Sequence, residues 1–192
     1  MKTKTILICN QKGGVGKSLC ADEIAFSLER TGIPVSFYDL DVQGGTIHVT
    51  HEVENAEVVV VDTPGALQEA LHDWVKAADV VVIPTKTTSR DIDPLMRMRK
   101  AVFKHSDAKI VYVMNGWNRF KASRDFMDWF EDVAGDQQTM VKLPQAEAFV
   151  QAGAAGKSIV EYAPRSKAAA STMEFVNTVR EVTGLEKEQI IN

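Results

Sequence analysis

Between Asn10 and Cys20 the chain reads "NQKGGVGKSLC", which sets three glycines, two lysines and a serine where a backbone could wrap a phosphate. Gly13, Gly14 and Gly16 let backbone N–H groups turn inward, because a bulkier residue would block the approach. A helix opening near Lys17 adds the positive end of its dipole. Lys17 would reach the β- and γ-phosphates as a point charge, and the Ser18 hydroxyl suits a Mg2+ that bridges the same oxygens. Val15 and Leu19 complete the expected nucleotide-binding set. The stretch departs from G-x-x-x-x-G-K-[ST] at one point: Gln11 stands where the first glycine belongs, with a second lysine, Lys12, beside it.

Phosphate chemistry of this kind also needs carboxylates at neighbouring strand ends. "VVVVDTPG" places Asp62 at the end of an apolar run, where it could hold a metal-bound water; a loop aspartate that caps the next helix is the plainer alternative. "VSFYDLDVQGG" places Asp39 and Asp41 at another strand end, where alternation directs both to one side. A solvated turn is the competing reading there.

The elements that must carry these residues are short apolar runs alternating with amphipathic stretches, the pattern of a buried parallel sheet. Strands are predicted at 5–9, 35–39, 58–62, 80–84, 109–115 and 139–143. Helices are predicted at 17–31, 66–78, 91–105, 123–134, 145–154 and 165–183. The expected fold is α/β: a single-domain, doubly wound, mostly parallel sheet flanked by helices over residues 1–192, with ligands at the carboxyl ends of the strands.

Bulk properties narrow the function classes. A formal charge of -4 argues against an obligate basic nucleic-acid coat protein. Charge is uneven, however: residues 86–130 hold ten Lys/Arg against five acids, a local +5 that leaves -9 elsewhere. Cys9 and Cys20 have neither disulfide nor CxxC spacing and read as small buried hydrophobes, in keeping with a cytoplasmic protein. No apolar run approaches membrane-spanning length, so no membrane partner is expected. His48 and His51 in "HVTH" are spaced like a metal pair, but a surface turn fits them better. Trp74 and Trp129 read as core or interface aromatics.

"KGGVGKS", with Lys12, resembles the deviant Walker A motif of the ParA/MinD group of P-loop ATPases. "DLDVQGG", "VVVVDTPG", "VVIPTKTTSRDI" and the tail "GKSIVEYAPRSKAAASTMEFVNTVREV" are similar to later segments of ParA-type DNA-partition ATPases. The resemblance implies ATP and Mg2+ as cofactors, with Lys17 on phosphate, Ser18 on Mg2+, Asp62 on a metal-bound water and Asp39 in the loop and metal shell. Asp41 would orient the attacking water, Asn115 would read the adenine edge, and Lys12 would reach the partner's phosphates in an ATP-bound homodimer. A turn asparagine is the alternative for Asn115. Further implied partners are non-specific DNA and a centromere-binding ParB-like adaptor that stimulates slow hydrolysis, with nucleoid association in the ATP state. With the phosphate loop beginning at residue 11, no N-terminal DNA-reading domain is expected.

Departures from the family pattern are Leu19 for threonine, Val42 for proline, a short interval between Asp41 and Asp62, and no arginine in "LPQAEAFVQAGAAGKS". Other cations could replace that arginine in DNA contact: Arg97, Lys100 and Lys104 on one helix face, Arg119 and Lys121 around Phe120, and Arg165 and Lys167 with Lys157. A solvated helix face is the competing reading. Two other functions share the fold: a positioning ATPase for a protein cargo, and a P-loop metabolic synthetase, which would generally lack the second lysine. A MinD-like membrane role needs a basic amphipathic C-terminal helix, and "EVTGLEKEQIIN" is acidic.

Overall fold

Valine-rich runs bounded by turn residues become six parallel strands in the computed structural model, which describes residues 2–65, 69–135 and 138–189. β1 (Lys4–Ile8) leads into α1 (Lys17–Arg30), β2 (Val35–Asp39), β3 (Val58–Asp62), α2 (Glu69–Ala77) and β4 (Val80–Lys86). A single 3-10 turn (Ser89–Asp91) precedes α3 (Ile92–His105) and β5 (Lys109–Trp117). Then follow α4 (Lys121–Ala134), β6 (Thr139–Pro144), α5 (Ala148–Ala154), α6 (Ile159–Tyr162) and α7 (Lys167–Thr183). The strand order β2-β3-β1-β4-β5-β6 is doubly wound: the chain runs to one side of β1 and then to the other.

Alternation sorts the core into two layers. Ile6, Ile8, Val58, Val60, Val80 and Val82 pack with α1 and α7, while Leu7, Val61, Val81 and Ile83 pack with α3 and α4. Such two-sided burial explains why the strands read as unbroken apolar runs. Cys9 and Cys20 are buried and unbonded; burial pushes the Cys9 thiol up to about 12 and the Cys20 thiol higher still. Trp74 and Trp129 pack against the second layer.

Differences from the predicted elements fall at ends. β5 runs on to Trp117 through an irregularity between Asn115 and Trp117, and Lys86 extends β4. α4 starts at Lys121, because Asn118 Oδ1 accepts the Phe120 N–H and turns the chain earlier. The 145–154 helix begins only at Ala148, and the one-turn α6, capped by Ser158, had no periodic signal of its own. Residues 66–68 of the predicted 66–78 helix lie outside the described residues.

Candidate functional site

The carboxyl ends of β1, β2 and β3 meet around a cleft of about 620 Å³ lined by Gly13, Gly14, Gly16, Lys17, Ser18, Leu19, Asp41, Val42, Gln43, Gly44, Pro64 and Gly65. Its floor is the loop between β1 and α1, braced from behind by two asparagines. Asn10 donates Nδ2 to the Pro84 carbonyl at 2.7 Å and accepts the Lys12 N–H at 3.1 Å, tying the loop to β4. Asn115 donates Nδ2 to the Val15 carbonyl at 2.8 Å. Gly16 has φ 101, and a Cβ there would stand 2.1 Å from Asn115 Nδ2, so only glycine fits. Asn115, expected from the resemblance to read the adenine edge, here also buttresses the loop.

Lys17 opens α1 with its side chain almost wholly buried, and Ser18 Oγ donates to Asp62 Oδ2 at 2.7 Å. Asp62 is 1% exposed, and its Oδ1 has no hydrogen-bond partner. Burial raises its carboxyl to about 6, against the opposing pull of the Ser18 hydrogen bond and of Lys17. A buried, half-satisfied carboxylate beside a hydroxyl fits a small hard cation: Ser18 Oγ and Asp62 Oδ1 supply oxygen donors, and positive charge would relieve the desolvated anion.

Asp39 ends β2 level with Asp62, and both its oxygens are occupied. Oδ1 accepts the Asp41 N–H at 2.9 Å and Oδ2 accepts the Thr46 hydroxyl at 2.7 Å. Asp39 therefore organises the following loop. Asp41 stands at the cleft rim, where Oδ1 accepts the Gln43 N–H at 3.0 Å, and Val42 is fully exposed. His48 and His51 do not form a surface turn. His48 is buried against Asp22, Phe26 and Phe37, and His51 bridges antiparallel to Phe37, covering the outer edge of β2. Among the described residues, no cluster of His, Cys, Asp and Glu is arranged to hold a metal by itself.

Lys12 is not among the cleft's lining residues. Its Nζ lies 2.7 Å from Asp91 Oδ1, and the side chain is 35% exposed, whereas Asp91 is buried and bonded to the Thr88 hydroxyl. Asp91 lies in "VVIPTKTTSRDI" and Asn10 just before the glycine loop, but neither had a role assigned from the sequence. Their roles come from tertiary contacts between the β1 and β4 loops.

The candidate DNA-contacting cations are split between the two faces of the sheet. Arg97, Lys100 and Lys104 are exposed on α3, and Arg119 and Lys121 flank the exposed Phe120 at the start of α4, on one face; Arg165 and Lys167 lie at the start of α7 on the other. Arg97 donates Nε to Gln11 Oε1 at 3.0 Å, and Lys121 pairs with Asp125 at 2.5 Å. No helix among the described residues is long and apolar enough to cross a membrane.

The CobQ/CobB/MinD/ParA nucleotide binding domain pattern matches residues 6–159. A search of the curated proteins finds no match. Among solved structures, an ATP complex of a point variant of Cyanothece McdA is similar over 99% of this chain and 99% of that one, at 17% identity and a TM-score of 0.80. The septum site-determining protein MinD of Pyrococcus horikoshii with Mg-ADP is similar over 95% of this chain and 98% of its own, at 16% identity and a TM-score of 0.73. A Borrelia burgdorferi protein named for plasmid partition, bound to AMPPNP, is similar over 90% and 98%, at 16% identity and a TM-score of 0.67.

Proposed function

The chain belongs to the CobQ/CobB/MinD/ParA family of nucleotide-binding domains, and from that premise we propose that it is an ATPase acting as a DNA-partition switch. The nucleotides held by the McdA, MinD and Borrelia structures support ATP and Mg2+ as its cofactors. The glycine loop and Lys17 bind the β- and γ-phosphates, and Ser18 with Asp62 holds the cation. Mg2+, when bound, neutralises charge on the phosphate oxygens. Asp41 orients the attacking water from the cleft rim, and Asp39 keeps the Asp41 loop in register.

The observation that carries the switch is the placement of Lys12. It is not among the residues lining its own chain's cleft and is partly exposed, and it would leave its ion pair with Asp91 to reach a triphosphate bound by a facing copy. A triphosphate and its transition state carry more negative charge than one lysine and one Mg2+ neutralise, which gives the second lysine its use in trans. ATP then joins two subunits, the dimer binds duplex DNA through exposed cations such as Lys100, Lys104 and Arg119, and an adaptor that stimulates hydrolysis releases it.

Sedimentation with Mg-ATP tests the core of this reading. Lys12→Ala is expected to bind nucleotide and stay monomeric; an ATP-dependent dimer of that variant sinks the role in trans. The slow-hydrolysing Asp41→Ala dimer is expected to retain random-sequence duplex DNA with Mg-ATP and to release it with Mg-ADP. A confirmed ATP dimer that binds no DNA overturns the partition reading and points to a protein cargo.

A further inference from the structure

The loop from Leu40 to Ile47 lies against Ser18, and two buried side chains with no part in phosphate binding hold it there. Asp22 follows Ser18 by one helical turn on the same face of α1 and is 4% exposed. Its Oδ1 accepts the His48 N–H at 3.0 Å and its Oδ2 the Ile47 N–H at 2.8 Å, while His48 Nδ1 stands 2.7 Å from Oδ1. The His48 ring packs on Phe26 at 4.3 Å and on Phe37 at 5.1 Å between centroids, and its Nε2 is 3.4 Å from Glu29 Oε2. Just before Thr46, whose hydroxyl bonds Asp39, sits Gly45, at φ 137. A Cβ there would lie 3.2 Å from Ser18 Oγ, so the loop meets the phosphate loop's serine backbone-first.

We propose that Asp22 and His48 form a latch that seats the Asp41 loop over Ser18 and Asp62, and that both are positioning residues for ATP hydrolysis. The inference rests on the ATPase reading above. A buried carboxylate persists only when donors surround it, and among the described residues those of Asp22 come from Ile47 and His48, at the far end of the loop. Removing the carboxylate frees the loop's far end, whereas Lys17, Ser18 and Asp62 keep their own supports in α1 and β3. The expected consequence is a split: binding survives, and alignment of the attacking water does not. Charge adds to the hydrogen bonds. α1 presents Asp22 and Glu29 to the imidazole, β2 presents Phe37, and His51 lies beyond that ring. Burial alone would hold the His48 imidazole down, but the Asp22 carboxylate, helped by Glu29, carries it above its ordinary value.

The test compares full-length Asp22→Ala, Asp22→Asn and His48→Asn with wild type by calorimetry with Mg-ATP, single-turnover hydrolysis and amide exchange read by mass spectrometry. Asp22→Ala should bind Mg-ATP within about threefold of wild type, turn over about tenfold more slowly, and exchange faster only over residues 40–48. His48→Asn, which keeps a donor for Asp22 but cannot titrate, should recover most of the turnover at pH 7 and lose the wild-type fall in rate above the imidazole's pKa. Unchanged exchange over 40–48 overturns the latch, and faster exchange with unchanged turnover overturns its role in positioning. If Asp22→Ala does not fold, Asp22→Asn decides by the same readouts. Failure of wild type to bind ATP would sink the ATPase reading instead, leaving exchange alone to judge the latch.

Discussion

The two walls of the nucleotide cleft are held by different physics. The phosphate loop is fixed by backbone geometry: left-handed Gly16, a strand on one side, a helix on the other, and two asparagine amides behind it. The loop after β2 is fixed by carboxylates, with Asp39 holding its near end through Asp41 and Thr46, and Asp22 holding its far end through Ile47 and His48. The first wall's frame of glycine backbone and asparagine amides carries no titratable side chain, although Ser18 at its end donates to Asp62, whose carboxyl is raised to about 6. The second is built from side-chain bonds that local openings can break one at a time, and it responds to protons. Chemistry that needs a rigid phosphate cradle and a movable water-orienting residue is served by that division.

The sharpest way to break the comparison is Gly16→Ala. The left-handed backbone and the 2.1 Å approach of Asn115 leave no space for a methyl group, so destabilisation of about 3 kcal/mol and loss of nucleotide binding are expected by denaturant melts and calorimetry. Near-native stability would show that the loop is as pliant as its neighbour. Asp62→Asn comes next, with opposite sign in the nucleotide-free protein. The native carboxyl titrates near 6 against an ordinary 3.8, so the folded state binds the proton more tightly, and stability is greatest below pH 4 and falls as pH rises through 6. The amide avoids that loss: the variant should gain about 2–3 kcal/mol at pH 8, gain nothing at pH 3, and lose Mg2+-dependent nucleotide affinity.

Smaller effects separate the two walls further. Thr46→Val removes one hydroxyl from Asp39 and should cost about 1 kcal/mol, seen as faster amide exchange after β2 and no change in the phosphate loop. The smallest is a pH effect on wild type. His48 has a raised pKa, so the stability it adds is fully present below the ordinary imidazole value near 6.5 and is lost as pH rises through the higher native value. Exchange at Ile47 and His48, corrected for its intrinsic pH dependence, should therefore quicken across that window while Gly13–Ser18 amides hold steady. Equal responses in both loops would erase the distinction.

Legibility followed the same line. Strand positions and the phosphate loop could be read because each is local: valine runs with no polar face, then glycines, Lys17 and Ser18 in order. Asp39 and Asp62 were found as strand ends. The far anchor was missed because Asp22 is an ordinary helix residue until the chain returns at His48, and "HVTH" offers no period to announce burial. Its spacing to Ser18 was the available signal, since i and i+4 share a face. Lys12 was legible as an oddity, but its contact with Asp91 depends on how β4 ends, and no pattern within either segment contains it. Charge runs were the least informative: α3 and α7 place their cations on opposite faces of the sheet, and only topology separates them.

That topology also sets an order of assembly. β1 lies in the middle of the sheet, yet its neighbours are Val58–Asp62 on one side and Val80–Val82 on the other. A chain emerging from the ribosome therefore makes β1 before either of its neighbours and must keep "TILIC" without them until β3 and then β4 have been synthesised. α1 can shield one face early, but both edges stay open, and the Asn10 amide has no Pro84 carbonyl to grip until β4 is in place. Pairings so distant along the chain make for slow folding and a window of exposure to aggregation. The phosphate cradle is encoded near the start of the sequence but becomes competent only after the second half of the sheet begins to form.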